Sequence, residues 1–149
     1  MAKIELHPDF KDFLKLLHFH KVEYLLVGGY AVGYHGYPRA TGDMDIWIAL
    51  DEKNADKIVK VFREFGMLQD EVSKELFLEK DKVIRMGFPP VRIEVITGAS
   101  GVEFSKCYPK RTQVLFDKIP VNFISLEDLK KNKKASGRHK DLEDLHHLP

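Results

Sequence analysis

The sequence predicts a mixed α/β (α+β) domain. Short apolar stretches of strand length are mixed along the chain with longer amphipathic stretches, and glycine, proline and polar turns separate them. Such a mixture of strands and helices is typical of a mixed α/β domain. The length of 149 residues suits one domain with its own core. We therefore expect a single domain over residues 1–149, with residues 125–149 as a C-terminal helical segment packed on it.

Helical and strand-like stretches alternate in the first half of the chain. The first helix is predicted from an apolar stripe that begins at Phe10, and the third has Asp51 as a possible N-cap and Gly66 as a stop. In order, the predicted segments are a helix in HPDFKDFLKLLHFHK, a strand in VEYLLVG, a short helix or turn in GYAVGYHG, a strand in MDIWIAL and a helix in DEKNADKIVKVFREFG.

The second half of the chain has shorter segments. Ser125 is expected to cap a helix that Gly137 ends, and the last helix is expected to bury Leu142, Leu145 and Leu148. In order, we predict a short helix through Leu76, a strand from Val83 to Met86, a strand in VRIEVIT, one or two helical turns in GVEFSKCY, two short strands around a turn near Asp117 and Lys118, a helix in LEDLKKNKKAS and a helix in HKDLEDLHHL.

Composition excludes several classes of protein. An apolar fraction of 44% and a charged fraction of 32% are typical of a soluble globular protein. The net charge of +1 excludes a strongly basic chain that coats nucleic acid, although a local basic patch stays open. Cys107 is the only cysteine, which excludes an internal disulfide and a four-cysteine zinc site. No run approaches the ~18 apolar residues of a membrane span, and we expect a cytoplasmic protein.

Two acids at the start of the second strand are the first candidate site. Asp43 and Asp45 are two residues apart, so on a strand they leave the same face, roughly 7 Å apart at the backbone. Two like charges this close are mutually unfavourable, and a shared divalent cation relieves that cost. The alternative is structural: acids at a strand start are often turn residues, or protect an edge strand from pairing.

Glu94 is the third acid of interest, because it lies in the middle of the apolar run VRIEVIT. An acid is costly to bury there unless it has a partner. One interpretation makes Arg92, on the same face, that partner. The other makes Glu94 a third ligand beside Asp43 and Asp45, and hard oxygen ligands of this kind suit Mg²⁺ or Mn²⁺.

Gly28 and Gly29 follow the first strand and precede a short helix. Small residues at such a turn let backbone N–H groups approach a phosphate, although tight strand-to-helix turns use glycine for structural reasons too. The turn is not a Walker loop, because no G-K-[ST] follows, and the G-x-G-x-x-G fingerprint of dinucleotide-binding proteins is absent.

Together these motifs resemble a known superfamily. VGG, positions 30–42 and then DMDI resemble the h-G-[GS]-x-D-h-[DE]-h signature of the DNA polymerase β-like nucleotidyltransferases. The stretches GYPRATGDMDIWI, GFPPVRIEVITGASGVEF and ISLEDLKKNKKASGRHKDLEDLHHL resemble the small bacterial and archaeal members of the AbiEii-like toxin group and its minimal relatives. The resemblance covers nearly the whole chain.

The resemblance implies a short mixed sheet flanked by helices, with the acids at one sheet end. It implies that Gly28 and Gly29 contact nucleotide phosphates, that Asp43 and Asp45 hold two Mg²⁺ ions, and that Glu94 ligates the catalytic ion. The family more often has Asp where this chain has Glu94. Other residues match the group as nucleotide-binding candidates: Arg39 and Thr41 of its R-x-T-x-D-h-D pattern, and Arg138 and Lys140 of GRHKDLEDL.

The basic run from Lys130 to Lys140 has two interpretations. It is either a solvated helix face or a contact with the phosphates of a nucleoside triphosphate (NTP) or with RNA. Either Lys133 or Lys134 could face the site, and we take Lys134 as the candidate beside Arg138 and Lys140.

The function expected from the resemblance is Mg²⁺-dependent transfer of a nucleoside monophosphate from an NTP to a hydroxyl of RNA, tRNA, a protein or a small molecule. A toxin–antitoxin or defence role with a companion protein follows by analogy. The alternatives are a metal-dependent nuclease or phosphohydrolase, and a degenerate module that binds nucleotides or partners without turnover.

Overall fold

The computed structural model describes residues 6–66, 72–88, 90–116 and 118–149. Within these ranges the chain forms one sheet, with α-helices before, between and after its strands, so the predicted mixed α/β class is confirmed. The strands are β1 (Tyr24–Val27), β2 (Asp43–Ile48), β3 (Val83–Phe88), β4 (Val91–Ile96), β5 (Thr112–Phe116) and β6 (Ile119–Phe123).

The sheet is mixed, with the strand order β3-β4-β2-β1-β6-β5. β1 pairs antiparallel with β2, β3 with β4, and β5 with β6. The pairs β2–β4 and β1–β6 are parallel. β2 is therefore a central strand, with β1 on one side and β4 on the other, and its side chains meet neighbours from both. This position excludes the edge-strand interpretation of Asp43 and Asp45.

The helices begin and end largely where the sequence predicts. Asp51 accepts a hydrogen bond from the Asn54 amide (2.8 Å), and Ser125 accepts one from the Asp128 amide (3.1 Å). Gly137 closes its helix at φ +64° in the left-handed region. The α-helices are α1 (Pro8–Phe19), α2 (Gly28–Tyr34), α3 (Glu52–Phe65), α4 (Phe104–Cys107), α5 (Leu126–Ser136) and α6 (His139–His147), with short 3₁₀ turns at Lys74–Phe77 and Tyr108–Lys110.

The core follows the alternation of β2. Met44, Ile46 and Ile48 are fully buried on one face, as the sequence predicts. Trp47, which shares the other face with the acids, is also buried and packs edge-on against Phe104 of α4 (ring centroids 5.2 Å apart). The face that carries the acids is therefore covered over part of its length and reaches solvent only toward the strand's start.

The sequence predicts α6 itself, but the predicted buried face of this helix was wrong. Leu142 is 49% exposed, whereas Asp141 and Asp144 are each 1% exposed. The buried face of this helix is thus acidic over two of its turns, and only Leu148 of the predicted stripe is buried. Periodicity failed here because these acids have cationic partners inside the fold, which the sequence does not show.

Smaller differences concern strand ends. β3 continues to Phe88, two residues beyond the predicted end. β5 and β6 flank the predicted turn, in which Lys118 takes φ +69°, while Asp117 lies outside the described residues. No helix in the described ranges has the length and apolar character needed to cross a membrane.

Candidate active site

The parallel pairing of β2 with β4 brings the three predicted acids together. In this register Asp45 lies opposite Glu94, and Asp43 lies opposite Arg92. Glu94 therefore belongs to the strand next to the pair and lies on the same face of the sheet. This neighbourhood is what a shared site requires, although adjacency alone does not decide whether the three acids share a metal ion.

Gly28 makes room for Asp45. Its φ of +67° lies in the left-handed region, and a Cβ added there would be 2.0 Å from Asp45 Oδ2. Gly29 is constrained in a similar way, since a Cβ there would be 2.7 Å from Thr41 Oγ1. Gly28 thus permits a close approach of the backbone to a carboxylate and Gly29 one to a hydroxyl, so the glycine pair has a structural role independent of any ligand.

Asp45 is the least satisfied of the acids. Its Oδ1 is buried and, in the part of the chain that the structure describes, has no hydrogen-bond partner. Burial and then the negative charges of Glu94 and Asp43 raise the pKa of Asp45 to about 7, against the opposing influence of Lys140 and Lys133. A buried carboxylate oxygen without a donor is an available ligand for a cation.

Arginines hold the other two acids. Arg92 donates from Nε and Nη2 to the two carboxylate oxygens of Asp43, both at 2.9 Å, and its Nη2 is 3.2 Å from Glu94 Oε1. Arg85 donates from Nε to the same Glu94 oxygen at 3.1 Å. Both interpretations of Glu94 therefore have support: Arg92 does pair with it, and it does lie beside the other acids.

The donor set fits a hard divalent cation in its chemistry, with one obstacle. The acids are carboxylates, and Asp45 offers a free buried oxygen. No three His, Cys, Asp or Glu side chains converge closely enough to hold one ion within the described ranges. Arg92 holds Asp43 in a bidentate pair, so a metal bound by all three acids requires this guanidinium to move.

A cleft of about 300 Å³ opens in front of Asp45 and Glu94. Gly28, Gly29 and the loop of Gly98, Ala99 and Ser100 form part of its wall. A Cβ added at Gly101, the next residue of that loop, would be 2.3 Å from the Ala135 Cβ of α5, so loop and helix pack closely. The rest of the wall carries Asp141, several uncharged side chains and five cations, which belong to Arg39, Arg85, Lys133, Arg138 and Lys140.

A buried ion-pair network holds the C-terminal helices over this cleft. Arg39 donates from Nε and Nη2 to the two carboxylate oxygens of Asp144 (2.7 and 2.8 Å), and Lys133 Nζ lies 3.0 Å from Asp144 and 3.2 Å from Asp141. Arg138 Nε completes the chain at 2.8 Å from Asp141. Burial alone would raise the pKa of Asp141 and of Asp144, but the hydrogen bonds and charges of these cations outweigh it and hold both below the ordinary value.

The structure assigns different places to the predicted nucleotide-binding residues. Gly28, Gly29, Arg39, Arg138 and Lys140 line the cleft, although Arg39 is engaged by Asp144. Thr41 lies off the wall, where its hydroxyl donates to the carbonyl of Asp43 (3.2 Å). Lys134 is exposed and also off the wall, so the structure favours Lys133 over it. No salt bridge of the described residues involves Lys140.

Sequence reasoning preferred Lys134 to Lys133 and missed Arg85 as a residue of the cleft wall. A signal for Lys133 was present: with Leu126 and Leu129 it occupies positions i, i+3 and i+7 of α5, where a buried apolar residue is expected. Arg85 gave none, because it belongs to the strand whose pairing with β4 is fixed only by the fold.

Comparison with solved structures supports the fold. A candidate nucleotidyltransferase from Thermotoga maritima superimposes with a TM-score of 0.61 over 95% of this chain and 93% of its own, at 17% sequence identity. The chain has a nucleotidyltransferase fold. No protein-family model matches the sequence, and no curated protein matches it either. At this identity the likeness to the nucleotidyltransferase from Thermotoga maritima shows the fold alone.

Gly28→Ala should lower the free energy of unfolding by about 2–3 kcal/mol, because it adds both backbone strain and the clash with Asp45. Urea unfolding measures the effect. Gly66→Ala is the matched control, since Gly66 also has a positive φ (+115°) but has nothing within 4 Å of an added Cβ. Equal costs at the two positions would contradict the proposed importance of the Gly28–Asp45 approach.

Asp45→Asn should stabilise the metal-free protein at alkaline pH. The folded chain keeps the Asp45 proton up to about pH 7, whereas the unfolded chain releases it near the ordinary value of 3.8, so folding stability falls as pH rises between these values and levels off above them. The asparagine side chain of the variant cannot ionise and escapes this loss. In urea unfolding with EDTA, the advantage of the variant should be largest at about pH 8 and shrink toward about pH 5. A gap that does not change with pH would contradict the raised pKa.

Proposed function

We propose that the protein is an Mg²⁺-dependent nucleotidyltransferase that moves a nucleoside monophosphate from an NTP to an acceptor hydroxyl. The observation that carries the proposal is the β2–β4 register, which sets Asp45 beside Glu94 in the wall of a cleft that five cationic side chains also line. A metal-bound triphosphate combines the two charges that such a cleft accommodates: a divalent cation toward the acids and anionic phosphates toward the lysines and arginines. The nucleotidyltransferase fold is consistent with this assignment.

Asp45 and Glu94, with Asp43 once Arg92 releases it, would hold the ion. Bound Mg²⁺ or Mn²⁺ would neutralise phosphate charge and lower the pKa of the attacking hydroxyl. Asp45 is the first ligand because its Oδ1 is free, whereas Glu94 already accepts a hydrogen bond from Arg85 and forms an ion pair with Arg92.

The cationic wall would bind the triphosphate. Lys140 contributes most directly, because no salt bridge of the described residues competes for its ammonium group. Arg138 contributes from the start of α6, and the backbone amides of Gly28 and Gly29 can donate to phosphate oxygens at the opposite side. Arg39 acts through Asp144, whose position on α6 it fixes, and is therefore a positioning residue.

In the proposed reaction the acceptor oxygen forms a bond with the α-phosphorus, and the bond from that phosphorus to the β-bridging oxygen breaks. Pyrophosphate leaves with the bonding electrons, next to the cations of the cleft wall. The hydroxyl proton passes to a carboxylate, and Glu94 of the cleft wall is the candidate acceptor, since Asp45 Oδ1 is assigned to the metal ion. The acceptor is RNA, tRNA, a protein or a small molecule. The resemblance to the AbiEii-like group supports a toxin–antitoxin or defence role with a companion protein in the cytoplasm.

One observation favours a second candidate, a module that binds without turnover. Arg92 and Arg85 already neutralise Asp43 and Glu94, as internal cations do in a site that holds no metal ion. Such a module would bind polyphosphate or a partner through the cationic wall and leave the phosphate bonds intact.

Labelled NTP separates these possibilities. The protein is incubated with α-phosphate-labelled NTPs, Mg²⁺ or Mn²⁺, and total RNA, a companion protein from the same gene neighbourhood, or aminoglycosides. We expect label on one acceptor, and Asp45→Asn should reduce transfer by more than about 100-fold, since even outer partners of a metal contribute 10–100-fold. Lys60→Met, at an exposed lysine of α3 outside the cleft wall, is the control and should retain activity.

The other outcomes of this assay identify the rivals. Shortening of the RNA without incorporated label indicates a nuclease. Binding of Mg²⁺–NTP without transfer to any acceptor indicates the binding module, and no binding at all contradicts the proposed function.

Arg92→Met should raise the affinity for Mn²⁺ by several-fold to about tenfold, because it removes the cation that competes for Asp43. Calorimetric titration of Mn²⁺ without nucleotide measures this effect independently of catalysis. Arg63→Met, at an exposed arginine of α3, is the matched control and should leave the affinity unchanged. An equal or weaker affinity in Arg92→Met would show that Arg92 does not compete with metal.

A further inference from the structure

Charged side chains are numerous in the wall of the cleft. Its wall carries five cationic and three acidic side chains in about 300 Å³. Pockets for drug-sized ligands are typically lined by apolar and aromatic side chains with a few polar groups among them. The composition here is the reverse, which matches a metal-bound polyphosphate better than a heterocyclic base. The charged residues are Arg39, Arg85, Lys133, Arg138, Lys140, Asp45, Glu94 and Asp141.

Aromatic side chains are missing from the described wall of the cleft. Its apolar members are aliphatic: Val27, Val83, Ile96 and Ala99. The undescribed positions cannot supply a ring, because residues 1–5, 67–71, 89 and 117 include no Phe, Tyr, Trp or His. Stacking of a base on an aromatic ring is therefore not available within the cleft.

One exposed ring lies at the end of β3, but on the face of the sheet opposite the cleft. Phe88, at the end of β3, is 86% exposed. By strand alternation it shares the face of the buried Met86, whereas Arg85, which lines the cleft, belongs to the opposite face. Phe88 therefore does not extend over the bound phosphates.

The uncharged polar groups of the wall are mostly engaged within the protein. Asn132 donates from Nδ2 to the Ser100 carbonyl (3.0 Å), and the Ser136 side chain hydrogen-bonds to Asp141. Reading the edge of a base needs donors and acceptors that are free to face it. Among these side chains, the Ser100 hydroxyl, the Asn132 oxygen and the second N–H of Asn132 Nδ2 are left for that purpose.

We infer that the cleft recognises the metal-bound polyphosphate of its substrate and does not read the base. This inference rests on the proposed function and specifies its substrate class: any nucleoside triphosphate, with the nucleoside directed away from the wall. Binding then depends on the number of phosphates, because each phosphate adds charge for the cationic wall, and not on the identity of the base.

Competitive calorimetry with Mg²⁺ tests the inference on the full chain. We expect ATP, GTP, CTP and UTP to bind within about threefold of one another, inorganic tripolyphosphate within about tenfold of them, and AMP at least about 100-fold more weakly. The comparison among NTPs tests reading of the base edge. The comparison with tripolyphosphate tests stacking, which is tolerant of base identity but would favour every NTP by roughly 5- to 150-fold.

Two variants test the inference further. Lys140→Met should weaken all four NTPs and tripolyphosphate by a similar factor of about tenfold, with its fold checked by circular dichroism. Phe88→Ala should change none of these affinities.

The results that would overturn the inference are distinct from those that would overturn the function. A preference above about tenfold for one NTP, a gain above about tenfold from NTP over tripolyphosphate, or weaker NTP binding in Phe88→Ala would show that the base is recognised, and the proposed transferase would stand. If the folded protein binds no polyphosphate, the proposed function fails and the inference fails with it.

Discussion

Repulsion between the carboxylates of neighbouring strands is the constraint on which the site depends. The β2–β4 register sets Asp45 opposite Glu94, with Asp43 two residues away on the same face. A protein can keep such a cluster only if cations compensate it. Arg92 does so for Asp43 and Arg85 for Glu94, while the buried Oδ1 of Asp45 has no partner among the described residues. The uncompensated charge is thus concentrated on the acid that Gly28 approaches most closely.

In the C-terminal helices the charges are reversed, because acids compensate a buried cation there. Lys133 is nearly buried and would be costly alone, but it lies between Asp141 and Asp144, which are buried as well. Arg39 and Arg138 complete the neutralisation from either end. Because removing one member leaves a buried charge without a partner, this network fixes α5 and α6 as a unit. The cationic wall of the cleft is therefore rigid where it is paired, and free to bind at Lys140.

The local sequence was sufficient to predict the helices and strands and to identify the three acids as a candidate site. Alternation identified β2, and the cap at Asp51 follows from its own side chain. What the sequence could not show was which distant groups would meet. The buried face of α6 carries Asp144, which an apolar pattern cannot anticipate, because its partner Arg39 lies 105 residues earlier in the chain. Arg92 was foreseen as a partner of Glu94, but its stronger bond to Asp43 depends on strand pairing.

The difference between a catalyst and a binding module comes down to how firmly Arg92 is held. Its pair with Asp43 is bidentate, yet both side chains are 28% exposed, so water screens the interaction. On the proposed function, a metal ion would compensate Asp43, and the phosphates bound with it would offer the displaced guanidinium new anionic oxygens. The pair at Asp43 is more open to such an exchange than the pairs around Lys133, which are nearly excluded from water. The fold would then combine a fixed cationic wall with an acid cluster that opens when substrate binds.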